Sequence, residues 1–192
     1  MSDDELLQAY LRGKEIAFDL LFERYKQPLY NYFYRNCDST VVDELFQDVW
    51  LRVIASARRY QNQNRFRSWL FTLAHNCLVD FYRRQGARVN INVKDESAEE
   101  RELADGLSGS IAGSHDQQKI ASIIDGKRLE DRLKEALACL PADQREAFYL
   151  REESGFSIRD IAKIQEISSE AAKSRLRYAY KKLRDLLEEA PI

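Results

Sequence analysis

Apolar residues recur at three- and four-residue spacing over most of the chain, the period of a helix with one buried face. The first such stretch opens at Ser2, a residue suited to capping. Asp3, Asp4 and Glu5 follow in the turn where the helix dipole favours negative charge. Leu6, Leu7, Tyr10 and Leu11 form its stripe, and Gly13 ends it. A second pattern covers 15–36 through Ile16, Phe18, Leu21, Phe22, Tyr25, Leu29, Tyr32 and Phe33. Pro28 lacks an amide donor and crowds the preceding turn, so a kink or break near Lys26 is expected. A third pattern covers 40–58, with Val42, Leu45, Phe46, Val49, Val53 and Ile54 inward. After a polar loop over 60–65, a fourth covers 66–84, with Phe66, Leu70, Leu73, Cys77 and Phe81 inward.

The periodicity lapses between Gly86 and Gly126. Acidic and small residues take over, among them Asp95, Glu96, Glu99, Glu100, Gly106, Gly109 and Gly113. Eight acids against four bases leave a net charge of −4 over 86–126. A stretch of that length without a pattern of its own is a linker, not a loop within a domain. Order returns with Leu129, Leu133, Leu137 and Leu140 on one stripe. Pro141 then separates that helix from another over 143–152, which Gly155 closes. Ser157 with Asp160 three residues on has capping-box spacing and starts a short helix to 165. Ser168 or Ser169 caps a long last helix reaching about 189. No run of alternating β-branched residues marks a strand. The expected fold class is all-α, two small helical domains (1–86 and 127–192) joined by a flexible acidic linker over 87–126.

Composition narrows the function. The 192 residues carry a net charge of −2, whereas a free-standing DNA binder usually has a basic excess, because phosphate neutralisation supplies much of its affinity. Cys37, Cys77 and Cys139 have neither the spacing of a disulfide framework nor the close Cys/His pairs of a zinc site, so they are expected as small buried hydrophobes in a reducing compartment. The acidic start is the wrong charge for a signal peptide, and no apolar run is long enough to span a bilayer. A cytoplasmic protein without membrane insertion, cofactor or small-molecule substrate is the expectation.

Two constellations carry chemistry. A short helix, a tight turn and a longer helix form a helix-turn-helix, whose second helix enters the DNA major groove. Ile158, Ile161, Ala162 and Ile164 are placed to face Ile167, Ala172 and Leu176, with small Ala162 at the crossing. The last helix bears Lys173, Arg175, Arg177, Lys181, Lys182 and Arg184. Its first exposed residues, Ser169, Glu170, Lys173 and Ser174, have the reach for base edges, and Arg177 suits phosphates. The second constellation is the outer face of the 66–84 helix: Arg67, Ser68, Thr72, His75, Asn76, Val79 and Arg83, with Phe71 and Tyr82 near its flanks. Basic and aromatic side chains together can stack on unpaired bases and follow a backbone, which favours melted over duplex DNA.

Three segments in order resemble the extracytoplasmic-function (group four) sigma factors, the small two-domain class of the sigma-70 family. They are Asp43-Glu-Leu-Phe-Gln-Asp-Val-Trp50, the Phe66-Arg-Ser-Trp-Leu to Asp80-Phe-Tyr-Arg-Arg84 run, and the segment from Leu140-Pro through Phe156-Ser-Ile-Arg-Asp-Ile-Ala to Ala172-Lys-Ser-Arg-Leu176. The resemblance implies a transcription initiation factor that binds core RNA polymerase at its clamp and flap, reads promoter DNA and catalyses nothing. It implies that Gln47, Asp48, Leu51 and Arg52 dock on the clamp. It further implies that Asn62, Gln63, Asn64 and Arg65 form a pocket for an extruded base of the −10 element. Arg67, Asn76 and Arg83 would lie near that element's upstream edge, and Ser169, Glu170, Lys173, Ser174 and Arg177 would read the −35 element. Family habit adds an anti-sigma protein as partner. The acidic linker matches a segment of the family that passes through the RNA-exit path; a plain spacer accounts for it equally well.

Four positions depart from the family pattern. Glu166 stands where the turn usually has Gly, and a positive φ there would cost a residue with a Cβ about 1 kcal/mol. Ala171 and Ala172 replace Thr and Val, and His75 stands where Arg is common. Two other readings compete. A stand-alone helix-turn-helix regulator explains the C-terminal third but not the aromatic-basic helix or the linker. A metal-dependent hydrolase built on Asp43, Glu44 and Asp48 would need facing acids, for which only Glu15, Asp19 and Glu23 are in plausible positions.

Overall fold

The computed structural model describes residues 1–60, 65–84, 86 and 126–188, with backbone alone for 126–131. Eight α-helices lie among them: α1 (Asp3–Leu11), α2 (Glu15–Asn36), α3 (Val42–Ser56), α4 (Phe66–Arg84), α5 (Gly126–Ala138), α6 (Ala142–Glu152), α7 (Ile158–Ile164) and α8 (Ser169–Glu188). Single 3₁₀ turns, Ser39–Val41 and Ala57–Arg59, flank α3 and account for the ends of the 40–58 pattern. No strand occurs among the described residues, so the chain is all-α there.

Helix starts follow their side chains. Ser2 Oγ accepts from the Glu5 amide (3.2 Å) while Glu5 Oε2 accepts from the Ser2 amide (2.7 Å), a reciprocal capping box. Pro28 does not break α2, which is continuous from Glu15 to Asn36. The proline lies on the exposed side, where the carbonyl of Arg24 that it leaves without an amide can meet water.

The inward stripe of α2 is Ala17, Leu21, Tyr25, Leu29, Tyr32 and Phe33; that of α3 is Val42, Leu45, Phe46, Val49, Trp50 and Val53. Of the expected core residues off these stripes, Phe18 and Phe22 are partly buried against the core, and two are exposed. Ile16 is 71% and Ile54 46% exposed, each one position away from a buried neighbour and so turned about 100° off the stripe. Leu20 and Leu51 share those outward faces. α1 packs on α2 and α3 on α4, closing a core with Leu6, Leu7, Leu70, Ala74 and Cys77 fully buried. That core continues without interruption into Ala147, Leu150, Phe156, Ile161, Ala162, Ile164, Ala172 and Leu176, because α7 lies against α4 and α6 against α2. A second cluster of Leu137, Leu140, Tyr149, Ala179 and Leu183 joins α5, α6 and α8. Of the cysteines, Cys77 is buried as expected, Cys37 is partly so, and Cys139 is exposed.

Candidate nucleic-acid interface

The turn before α7 is a local construction. Gly155 takes φ +64 and its amide donates to the Arg151 carbonyl (3.2 Å), so α6 ends in a left-handed glycine cap, and the Phe156 amide reaches back to the Leu150 carbonyl (2.9 Å). That turn drops Phe156 into the core. Ser157 then caps α7, its Oγ accepting from the Asp160 amide at 3.2 Å. Between α7 and α8 the chain turns at Glu166, whose φ is +55, the left-handed conformation that favours glycine. Ile167 donates to the Ala162 carbonyl (2.9 Å), and Ser168, not Ser169, caps α8 by accepting from the Ala171 amide (3.1 Å). Ala162 and Ala172 are buried at the crossing, beside Ile161, Ile164 and Leu176. This is the helix-turn-helix expected from the spacing.

α8 buries Ala172, Leu176, Ala179 and Leu183. Ser169, Glu170, Lys173 and Arg177 are exposed on its outer side, with Ser174 half-buried beside them. One expected base is diverted. Arg175 points inward, its Nε 3.0 Å from Asp143 Oδ2 and its Nη1 donating to Gln165 Oε1 (3.2 Å), which braces α8 against α6.

The outer face of α4 differs from expectation in its surroundings. The sequence pattern suggests an open face, because these residues do not pack within their own module. In the structure α6 and α7 cover it. Arg67 donates to the Ser154 carbonyl and its guanidinium stacks over Phe156, 4.3 Å from the ring centroid. Phe71, expected near a flank, is fully buried against Phe156 with ring centroids 4.9 Å apart. Ser68 donates to Asp160 Oδ1 (3.3 Å) and Asn76 to Glu166 Oε1 (3.4 Å). His75 Nδ1 lies 2.8 Å from Glu146 Oε1.

Glu146 is the residue that sequence reasoning missed. It is 4% exposed, and its carboxylate takes the Tyr32 hydroxyl of α2, the His75 imidazole of α4 and, at 2.9 Å, the Gln165 side-chain amide. Burial alone would raise its carboxyl, but the His75 charge and three donors hold it below the ordinary carboxylate range. Burial likewise pulls His75 down, and the adjacent Glu146 carboxylate outweighs it, leaving the imidazole above its ordinary value. Tyr32 is pushed well up by burial and by the same carboxylate. Both shifts of the pair describe one arrangement, imidazolium against carboxylate.

The remaining expected residues divide. Asn62, Gln63 and Asn64 lie outside the described residues. The chain on either side of them is anchored: Tyr60 donates to buried Asp4 (2.6 Å), and the Arg65 amide donates to the Tyr60 hydroxyl (3.2 Å). A cleft of about 250 Å³ opens there, lined by Asp3, Asp4, Arg65, Arg67, Gly155 and Asp160 among others. Arg83 is exposed at the far end of α4, 3.6 Å from Asp80. On α3, Gln47 and Leu51 are exposed, the latter 64%. Asp48 pairs with Arg52 at 3.1 Å, and Arg52 also reaches Asp80 at 3.0 Å. Among the described residues no group of three or more His, Cys, Asp or Glu side chains is arranged to hold a metal ion. No described helix is long and apolar enough to cross a membrane.

Residues 21–88 match the family model for Sigma-70 region 2, and residues 130–183 that for Sigma-70, region 4. The chain is 30% identical to the RNA polymerase sigma factor CarQ of Myxococcus xanthus over 184 residues, 95% of this chain and 96% of that one. It is 24% identical to the ECF RNA polymerase sigma-E factor of Haemophilus influenzae, covering 92% and 90% of the two chains. Its fold is similar to that of the sigma factor RpoE from Bartonella quintana, solved in complex with the anti-sigma factor NepR. The TM-score is 0.62 at 24% identity, over 91% of this chain and 98% of that one.

Proposed function

The chain belongs to the extracytoplasmic-function group of the sigma-70 family and is a promoter-directing transcription initiation factor, and we propose that residues 1–86 and 127–192 act as two modules that grip one promoter at two elements while mounted on core RNA polymerase. In this reading Ser169, Glu170, Lys173, Ser174 and Arg177 read the −35 element from the major groove. Arg65, Arg67, Asn76 and Arg83, with Asn62, Gln63 and Asn64, hold the −10 element in its melted form. Gln47, Asp48, Leu51 and Arg52 meet the polymerase clamp, and the 127–192 module meets the flap.

The observation that carries the reading is the exposed face of α8: a capped helix crossing α7 at buried Ala162 and Ala172, presenting Lys173 and Arg177 outward. A helix in that geometry has its first turns free for base edges. The net charge of −2 supports dependence on polymerase, since little long-range attraction to phosphate is available to the chain alone.

Sigma factors are non-enzymatic initiation factors, and this chain accordingly catalyses nothing: melting comes from binding the extruded bases more tightly than the duplex. Its place is the cytoplasm, with the polymerase. An anti-sigma protein is its further partner, a proposal supported by the likeness to RpoE, which was solved with NepR. Run-off transcription with purified core polymerase on a genomic library tests the reading. New transcripts from discrete starts that share two upstream elements are expected; no new transcripts would overturn it.

A further inference from the structure

A chain of ion pairs crosses from α3 to the end of α4. Arg52 on α3 places its Nη2 atom 3.1 Å from Asp48 Oδ2 and 3.0 Å from Asp80 Oδ2 on α4. Asp80 turns its other oxygen, Oδ1, towards Arg83 Nη1 at 3.6 Å. Arg84 Nε donates to the Asp80 backbone carbonyl (3.4 Å). Asp80 therefore stands between two guanidinium groups, one oxygen for each. No role in DNA or polymerase binding has yet been given to it.

Stability is a poor account of this arrangement. The Asp80 side chain is 38% exposed and that of Arg83 74%, and ion pairs so open to water contribute little. Buried Val49, Val53 and Cys77 already bind α3 and α4 into one core. On a helix assigned to DNA, moreover, a lone carboxylate repels phosphate. Arg52 offsets that cost, because it reaches Asp80 from the neighbouring helix and cancels its charge. What the carboxylate gives in return concerns Arg83. Asn76, Asp80 and Arg83 are spaced four and three residues apart and so follow one side of α4. A free arginine samples many rotamers, and ordering them on binding costs affinity; one already held by a neighbour loses less.

We propose that Asp80 is a positioning residue for promoter opening: it orients Arg83 towards a phosphate at the upstream edge of the −10 element, and Arg52 holds Asp80 from α3. This rests on the reading that Arg83 meets promoter DNA. Arg52 then serves α4 as well as the clamp-facing surface that it shares with Asp48. The sign of one substitution separates orientation from charge. Asp80→Asn removes a negative charge beside DNA, so electrostatics alone would tighten promoter binding. Loss of orientation weakens it.

The test uses core polymerase saturated with the full chain, so that polymerase affinity does not enter, on a duplex promoter recovered by the run-off selection. Arg83→Ala should weaken promoter binding and opening roughly tenfold, the loss of one held phosphate contact. Asp80→Asn should lose about as much, and the two together no more than either alone. Asp80→Glu, which keeps the carboxylate, should recover most of the loss. Methylphosphonate in place of single phosphates should reveal one at the upstream edge that the unchanged chain needs and Asp80→Asn does not. Equal or tighter promoter binding by Asp80→Asn overturns the proposal. So do losses that multiply in the double variant, an Asp80→Glu chain as defective as Asp80→Asn, or an unaltered methylphosphonate profile. An Arg83→Ala chain that opens promoters at the unchanged rate contradicts the assignment of Arg83 to DNA, and the proposal falls with it. Circular dichroism checks that each variant folds, and Asp80→Ser replaces Asp80→Asn should the latter not fold.

Discussion

The surfaces assigned to promoter DNA on α8 and α4 are made of similar side chains and stand in opposite situations. On α8, Lys173 and Arg177 face outward from a helix whose other side is fully committed to Ala172, Leu176, Ala179 and Leu183. On α4, Arg67, Ser68, His75 and Asn76 face equally away from their own module, yet each touches the other one. Periodicity identifies residues that do not belong to the local core. It does not say whether water, a partner or a distant part of the same chain meets them.

The sharpest way to break the comparison is to remove the open surface. Lys173→Ala with Arg177→Ala should abolish promoter-specific transcription, a loss of about 2–6 kcal/mol for two DNA contacts. Polymerase binding in a pull-down should survive. Loss of polymerase binding would place α8 elsewhere in the complex. Next in size, Asp48→Arg reverses a charge on the proposed docking face and leaves Arg52 facing a second cation. Association with core polymerase should weaken about tenfold or more, and equal affinity by titration would remove that face from the account.

The residues proposed for the −10 element yield smaller effects. With Asn64→Ala and Arg65→Ala, promoter opening should fall while a pre-melted template restores initiation; a pre-melted template that restores nothing would argue against a melting role. The contact between the two modules should also respond to pH. His75 is faced by Glu146 from α6, Glu166 from the α7–α8 turn, Arg175 from α8 and Tyr32 from α2, and the net effect holds its imidazole above the ordinary value. A raised imidazole contributes fully below its ordinary value of about 6.5, and the contribution is lost as pH climbs through the raised value. Glu146, held low, keeps its contribution until pH falls through its own depressed value. The chain should therefore loosen as pH rises through the raised value of His75. Small-angle scattering should show it expanding, and His75→Gln should flatten the response.

The smallest effect concerns the turn. Glu166→Gly removes the cost of φ +55, worth about 1 kcal/mol of stability, and deletes the Asn76 contact. Denaturant unfolding should show a modest gain, and a loss would mean that the Asn76 contact outweighs the strain.

Much of this architecture was legible in local pattern. The Ser2 and Ser157 caps, the Gly155 stop and the Ile161, Ala162 and Ala172 crossing all follow from interactions within a few residues. The strain at Glu166 was legible only through the family resemblance, whose turn usually has Gly there, and the positive φ is what the structure adds. Failures came where one position of rotation decides burial, as for Ile16 beside Ala17 and Ile54 beside Val53. They came also where a charge is used internally: Arg175 reads as one more base on a basic helix, yet it braces Asp143 and Gln165. Glu146 was the least legible. Its partners Tyr32 and His75 are 114 and 71 residues away, and nothing in a helix-period pattern reports a contact at that separation.

The central claim is that this chain reads promoters only as part of a larger enzyme. A gel-shift series on one promoter duplex isolates that dependence, with the chain alone, core polymerase alone and the two together. A specific, stable complex should form with both components present, and hardly any shift with the chain by itself. Tight, sequence-specific binding by the chain alone would contradict the account and favour an autonomous helix-turn-helix regulator.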